Sequence, residues 1–100
     1  MDYLKGYEAY LTTEKKASEN TLSSYLRDVR QFSEYCQRET LELTETTTGD
    51  VERYAKYLMS RGKSVSTVTR AVASLKSFFG YLYREGYIDA NPCLLYTSPS

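Results

Sequence analysis

The chain has no histidine among its 100 residues and only two cysteines, Cys36 and Cys93. Without imidazole the commonest general base is missing. Two thiols alone make neither a zinc tetrad nor a disulfide framework, so no metal or organic cofactor is expected. Cys36 falls on an apolar helical stripe, the place of a small buried hydrophobe. No Gly-rich phosphate loop of the Walker type is present. The acids are scattered, and the many serines and threonines lack an activating partner. No apolar run approaches the ~20 residues that span a bilayer. The opening Met1-Asp2-Tyr3-Leu4-Lys5-Gly6 has neither the basic nor the apolar region of a secretory signal. No membrane association is expected, and the cytoplasm is the default compartment.

Tyrosine is abundant, with 11 copies, and this raises the question of a tyrosine nucleophile. Tyr7, Tyr25 and Tyr54 fall at core-stripe positions, where a ring buries apolar area and its hydroxyl finds a partner at the edge. With no base to activate any of them, no catalytic residue is assigned, and the chain as it stands is not expected to be an enzyme.

The length and the 41% hydrophobic content suit one domain with a real core. The formal net charge is zero, but its distribution is uneven. Residues 1–50 carry six basic and ten acidic side chains, whereas residues 53–84 carry seven basic ones (Arg53, Lys56, Arg61, Lys63, Arg70, Lys76, Arg84) and no acid. Such a segment presents either a local positive surface or an ordinary solvated face of two helices.

Periodicity is helical nearly throughout, and no strand is expected. Leu4, Tyr7 and Leu11 predict a first helix over about residues 2–15. Ser18 has the chemistry of an N-cap for a second helix with the stripe Leu22, Tyr25, Leu26, Val29, Phe32, Ser33 and Cys36, ending near Arg38. Residues 39–46 read as a connector. Thr47 and Asp50 form a capping-box-like start for a third helix through Val51, Tyr54, Leu58 and Met59 to about Arg61, with Gly62 placed to end it. Ser64 opens a fourth helix with the stripe Val68, Ala71, Val72, Leu75, Phe78, Phe79 and Leu82, which Gly86 stops. Asn91-Pro92 marks a boundary. The fold class is all-α, a compact four-helix bundle.

An internal repeat accompanies this pattern. Ser18-Glu19-Asn20-Thr21-Leu22 and Ser64-Val65-Ser66-Thr67-Val68 share the form S-x-x-T-apolar. Both continue at equal offsets with a phenylalanine (Phe32, Phe78), a tyrosine (Tyr35, Tyr81) and Arg-Glu (Arg38-Glu39, Arg84-Glu85). Two similarly built helices either reuse good caps or do a similar job. A helix start offers free N–H groups to a phosphate oxygen. The outward face of the fourth helix carries Ser66, Arg70, Ala73 and Ser77, with Thr69 and Lys76 beside it. The corresponding face of the second carries Asn20, Ser24, Arg27 and Gln31. Amide and guanidinium groups on slim helices are the means of major-groove contact.

The same residues carry a family likeness. Ser18 to Leu22, with Tyr25, Arg27-Asp28 and Phe32, resembles the opening of the core-binding domain of Xer-like tyrosine recombinases and phage integrases. Ser64 to Thr67 followed by Ser74-Leu75-Lys76-Ser77-Phe78-Phe79-Gly80-Tyr81-Leu82 resembles that family's later helix, and Glu85-Gly86-Tyr87-Ile88-Asp89-Ala90-Asn91-Pro92 resembles its close. The likeness covers residues 1–92. It implies a SAM-like bundle that forms one jaw of a clamp on duplex DNA during DNA integration or recombination. The other jaw, a catalytic domain with the tyrosine nucleophile and its arginine, lysine and histidine groups, has no counterpart in these 100 residues. The resemblance implies DNA contacts by Asn20, Thr21, Arg27, Thr67, Arg70 and Lys76, to which the derived faces add Ser24 and Ser66. It also implies other recombinase protomers as partners in a tetramer on DNA, with Tyr3, Tyr7 and Tyr10 of the first helix at a protomer contact.

The likeness stops after Pro92. A reverse translation of Cys93-Leu94-Leu95-Tyr96-Thr97-Ser98 can be written to match a transposon-end sequencing adapter, so residues 93–100 are expected to be a non-native tail. The alternative function is a SAM-like protein–protein interaction or oligomerisation module presenting the tyrosine-rich first helix.

Overall fold

A computed structural model describes residues 3–16 and 18–93. Four α-helices account for most of them: α1 Tyr3–Thr13, α2 Glu19–Arg38, α3 Thr48–Ser60 and α4 Val65–Arg84. The expected four-helix, all-α class is what is found, with no strand among the described residues. The connector after α2 contains one short 3₁₀ turn, Leu43–Glu45.

Local chemistry sets the helix ends. The Ser18 hydroxyl accepts from the Thr21 N–H at 3.3 Å, and the Ser64 hydroxyl accepts from the Thr67 N–H at 3.2 Å. In both caps the serine hydroxyl also donates to the threonine hydroxyl, at 3.0 and 3.1 Å. Thr47 and Asp50 close a reciprocal capping box at the start of α3. Gly62 and Gly86 lie at φ +84° and +82°, the left-handed conformation that lets the next residue's N–H fold back onto the helix. Lys63 accordingly donates to Leu58 and Tyr87 to Leu82. At the end of α2 the same place is taken by Thr40, at φ +58°, with Leu41 donating to the Cys36 carbonyl at 2.7 Å.

α2 and α4 make the broadest contact, and α1 and α3 pack on them. The core is strongly aromatic. Phe32 of α2 meets Phe79 of α4 edge-on at 5.9 Å and Tyr54 of α3 at 5.0 Å. Phe78 meets Tyr7 of α1 at 5.2 Å. The repeat seen in α2 and α4 extends to what these helices touch. Tyr35 rests on Tyr54 and Tyr57 of α3, while Tyr81 rests on Tyr7 and Tyr10 of α1. Arg38 then lies over the Tyr57 ring, and Arg84 over the Tyr10 ring, each at 5.4 Å. The molecule is thus built as two like helical hairpins, α1–α2 and α3–α4, gripping each other in an approximate two-fold pattern.

Two expectations change. Met59, placed on the α3 core stripe, is 43% exposed, because it lies next to Leu58 and points a further 100° or so around the helix. Ser77, placed on the outward face of α4, is half-buried and accepts a 2.9 Å hydrogen bond from the Tyr7 hydroxyl. Cys93, the first residue of the expected tail, is buried, and its N–H donates to Asn91 Oδ1 at 2.9 Å. The preceding Pro92 carbonyl accepts from the Thr48 hydroxyl at 2.8 Å, tying this segment to α3. Residues 94–100 lie outside the described residues.

Candidate nucleic-acid interface

The side chains singled out in the sequence occupy the first half of α2 and the first two-thirds of α4. Asn20, Thr21 and Arg27 are exposed on α2, with Ser24 half-buried between them; Ser66, Arg70 and Lys76 are exposed on α4, with Thr67 half-buried. Positions 20, 24 and 27 share one face of α2, and 66 and 70 share one face of α4, as steps of three and four residues require. Lys76 stands apart. Six residues beyond Arg70, it points about 240° further round the helix. Its carbonyl accepts from Asn91 Nδ2 at 3.0 Å, and its charge bears on Cys93. It flanks the closing segment rather than the face of Arg70.

One contact joins the two faces. Arg70 donates through Nε to Asp28 Oδ2 and through Nη2 to Asp28 Oδ1, both at 3.2 Å. The Ser74 hydroxyl donates to the same Oδ2 at 2.9 Å. The Asp28 carboxylate is buried, and these three bonds satisfy both of its oxygens, as a buried charge requires. The arginine side chain, by contrast, is 51% exposed. Asp28 and Ser74 are equivalent positions of the repeat, so the hydroxyl–carboxylate bond marks where α2 and α4 cross. Helical periodicity alone assigns Asp28 no role. The available signal was an acid on an otherwise apolar stripe, three residues after Tyr25 and four before Phe32, which calls for a buried partner.

Beside this crossing, Arg27 and Arg30 border a shallow hollow with Ser23, Leu26, Gln31 and Glu34. Neither arginine has an ion pair among the described residues. Much of the remaining positive charge is engaged within the chain. Arg38 donates to the Tyr57 hydroxyl at 2.8 Å, and this bond draws the phenol below its ordinary pKa. Arg61 also sits over the Tyr57 ring. Arg53 and Lys56 pair with Asp50 and Glu52 one turn earlier, and Arg84 pairs with Glu14.

The α1 tyrosines are likewise engaged. Tyr7 is fully buried, and burial pushes its phenol up to about 12. Tyr10 stacks under Arg84, and Tyr3 meets Tyr87 edge-on at 5.1 Å. Tyr7 is therefore unavailable to any second molecule. Among the described residues no cluster of His, Cys, Asp and Glu could hold a metal ion. No helix there is long and apolar enough to cross a membrane.

Residues 4–86 match the family described as phage integrase, N-terminal SAM-like domain. Among curated relatives, tyrosine recombinase XerC of Anoxybacillus flavithermus is 34% identical over 91 residues, covering 90% of this chain and 30% of the relative. Tyrosine recombinase XerD of Listeria monocytogenes is 33% identical, covering 98% of this chain and 34% of the relative. XerD of Rickettsia prowazekii is 27% identical, covering 94% and 30%. The chain thus spans about three-tenths of the length of the curated relatives it matches. No solved structure gives a significant match.

Proposed function

Because the chain belongs to the phage integrase N-terminal SAM-like domain family, we propose that it is the duplex-DNA-binding part of a site-specific tyrosine recombinase. It grips DNA through the starts of α2 and α4, while the strand-exchange chemistry of the whole protein is carried elsewhere. The observation that supports this best is the crossing of the two like-capped helices, where α2 and α4, carrying exposed Asn20, Arg27 and Ser66, are joined by a half-exposed arginine. Backbone phosphates supply most of the affinity, and the amide and hydroxyl side chains set the register.

The test is a titration of the full chain against a short fluorescent duplex at rising salt. Binding is expected at low salt, falling linearly on a log–log plot. Arg27→Glu inverts an exposed charge that makes no ion pair among the described residues, so it should weaken binding about tenfold or more without moving the thermal midpoint. Equal binding by Arg27→Glu would place the interface elsewhere. Self-association seen by light scattering without DNA, together with no DNA binding, would favour an oligomerisation module instead.

A further inference from the structure

The two partners of the Asp28–Arg70 pair are unequally buried. Here the carboxylate side chain is 3% exposed and the guanidinium side chain 51% exposed. A guanidinium has five N–H donors, and Asp28 engages one on Nε and one on Nη2. The other three, on the two terminal nitrogens, have no partner among the described residues. The single Ser74 hydroxyl proton is shared between the Asp28 carboxylate at 2.9 Å and the Arg70 carbonyl at 3.1 Å. The acid, the hydroxyl and the arginine backbone are thereby linked at the α2–α4 crossing.

Resting on the DNA-binding reading above, we propose that Asp28 is a positioning residue. With Ser74 it locks the Arg70 guanidinium across the helix junction, where Arg70 meets a backbone phosphate as a pre-oriented cation and not as a base reader. Held side-on against α2, the arginine lies over the crossing instead of extending away from α4. Its free terminal N–H pair matches two phosphate oxygens. Beside its ionic contact with the phosphate, the arginine contributes orientation: rotamers that a free arginine would lose on binding are already fixed in the free protein. The two-fold pattern makes this lock one-sided. The repeat equivalents of Arg70 and Asp28 are Ser24 and Ser74, so the junction holds one fixed cation, not two.

The experiment titrates the full chain and its variants against two labelled duplexes of unrelated sequence, over a salt series, below every variant's melting temperature. Asp28→Asn keeps the arginine's charge and a bond to Ser74 but loosens the lock. It should weaken binding about three- to tenfold with the salt slope unchanged. Arg70→Gln should weaken binding to both duplexes alike and lower the salt slope by about one phosphate. If Arg70→Gln does not fold, the double variant Asp28→Asn, Arg70→Gln removes the unpaired buried charge and should show the same lowered slope. Asp28→Asn binding as tightly as the parent, or more tightly, would mean that the carboxylate competes with phosphate, and overturns the proposal. So does an unchanged slope without Arg70, or a loss confined to one duplex. If the parent chain does not bind either duplex, the DNA-binding reading fails and takes this inference with it. If the parent binds and only Arg27→Glu behaves as expected, this inference alone fails.

Discussion

Gly6 lies inside α1, where glycine ordinarily costs about 1 kcal/mol relative to alanine. Its reason is a neighbour: a Cβ at this position would run into the Tyr81 hydroxyl, with the ring carbon that bears it at 3.4 Å. Tyr81 cannot easily yield, because its ring is packed against both Tyr7 and Tyr10. Gly6→Ala is therefore expected to destabilise the chain by about 1–2 kcal/mol, the crowding outweighing the gain in helix propensity. In a Tyr81→Phe background the obstructing oxygen is gone, and the same substitution should become neutral or stabilising by up to about 1 kcal/mol. Urea unfolding of the four-member cycle measures the coupling. Equal effects of Gly6→Ala in both backgrounds would show that the hydroxyl is not what requires glycine.

At the scale of elements, the repeat makes one helix end a control for another. α4 ends on Gly86 at φ +82°, but α2 ends on Thr40 at φ +58°, a backbone conformation that strains a β-branched residue. Thr40→Gly should stabilise the chain by about 1 kcal/mol, and Gly86→Ala should destabilise it by a similar amount. Thermal unfolding followed by circular dichroism reads both, and the same sign for both substitutions would refute the equivalence. Helix ends of this kind were legible in the sequence because caps are local: Ser18, Thr47, Ser64, Gly62 and Gly86 act on residues within one turn. The buried stripes of α2 and α4 were legible because burial repeats with the helical period. What the sequence did not reveal was pairing at a distance. Asp28 and Arg70 are 42 positions apart, and Tyr7 and Ser77 are 70 apart. Periodicity assigns a face to each residue but does not say which helix covers it. For that reason periodicity puts Ser77 on the outward face and shows no partner for Arg70. The candidate DNA face was legible as a list of exposed polar side chains, but not as a junction fixed by a buried acid.

For the whole molecule, the missing histidine governs how stability depends on pH. No side chain has an ordinary pKa between the carboxylates and the thiols, so stability should be flat around neutrality. The alkaline side is different. Burial raises the Cys36 and Cys93 thiols from 9.0 to about 12, raises Tyr7 from 10.0 to about 12, and raises Tyr54 as well. In the folded chain these groups keep their protons, whereas in the unfolded chain they release them at ordinary values. Above about pH 9 the unfolded state therefore binds fewer protons, and stability falls as pH rises towards the folded values. The loss by about pH 10 is on the order of 3 kcal/mol, most of it from the two thiols. Thermal midpoints measured from neutral pH upward should hold level and then drop from about pH 9. In a Cys36→Ala, Cys93→Ala variant the phenols alone remain, so the onset should move up by about one pH unit. A midpoint that stays level through pH 10 in the parent, or an onset that does not move when the thiols are removed, would mean that these groups titrate no differently in the folded chain than in the unfolded one.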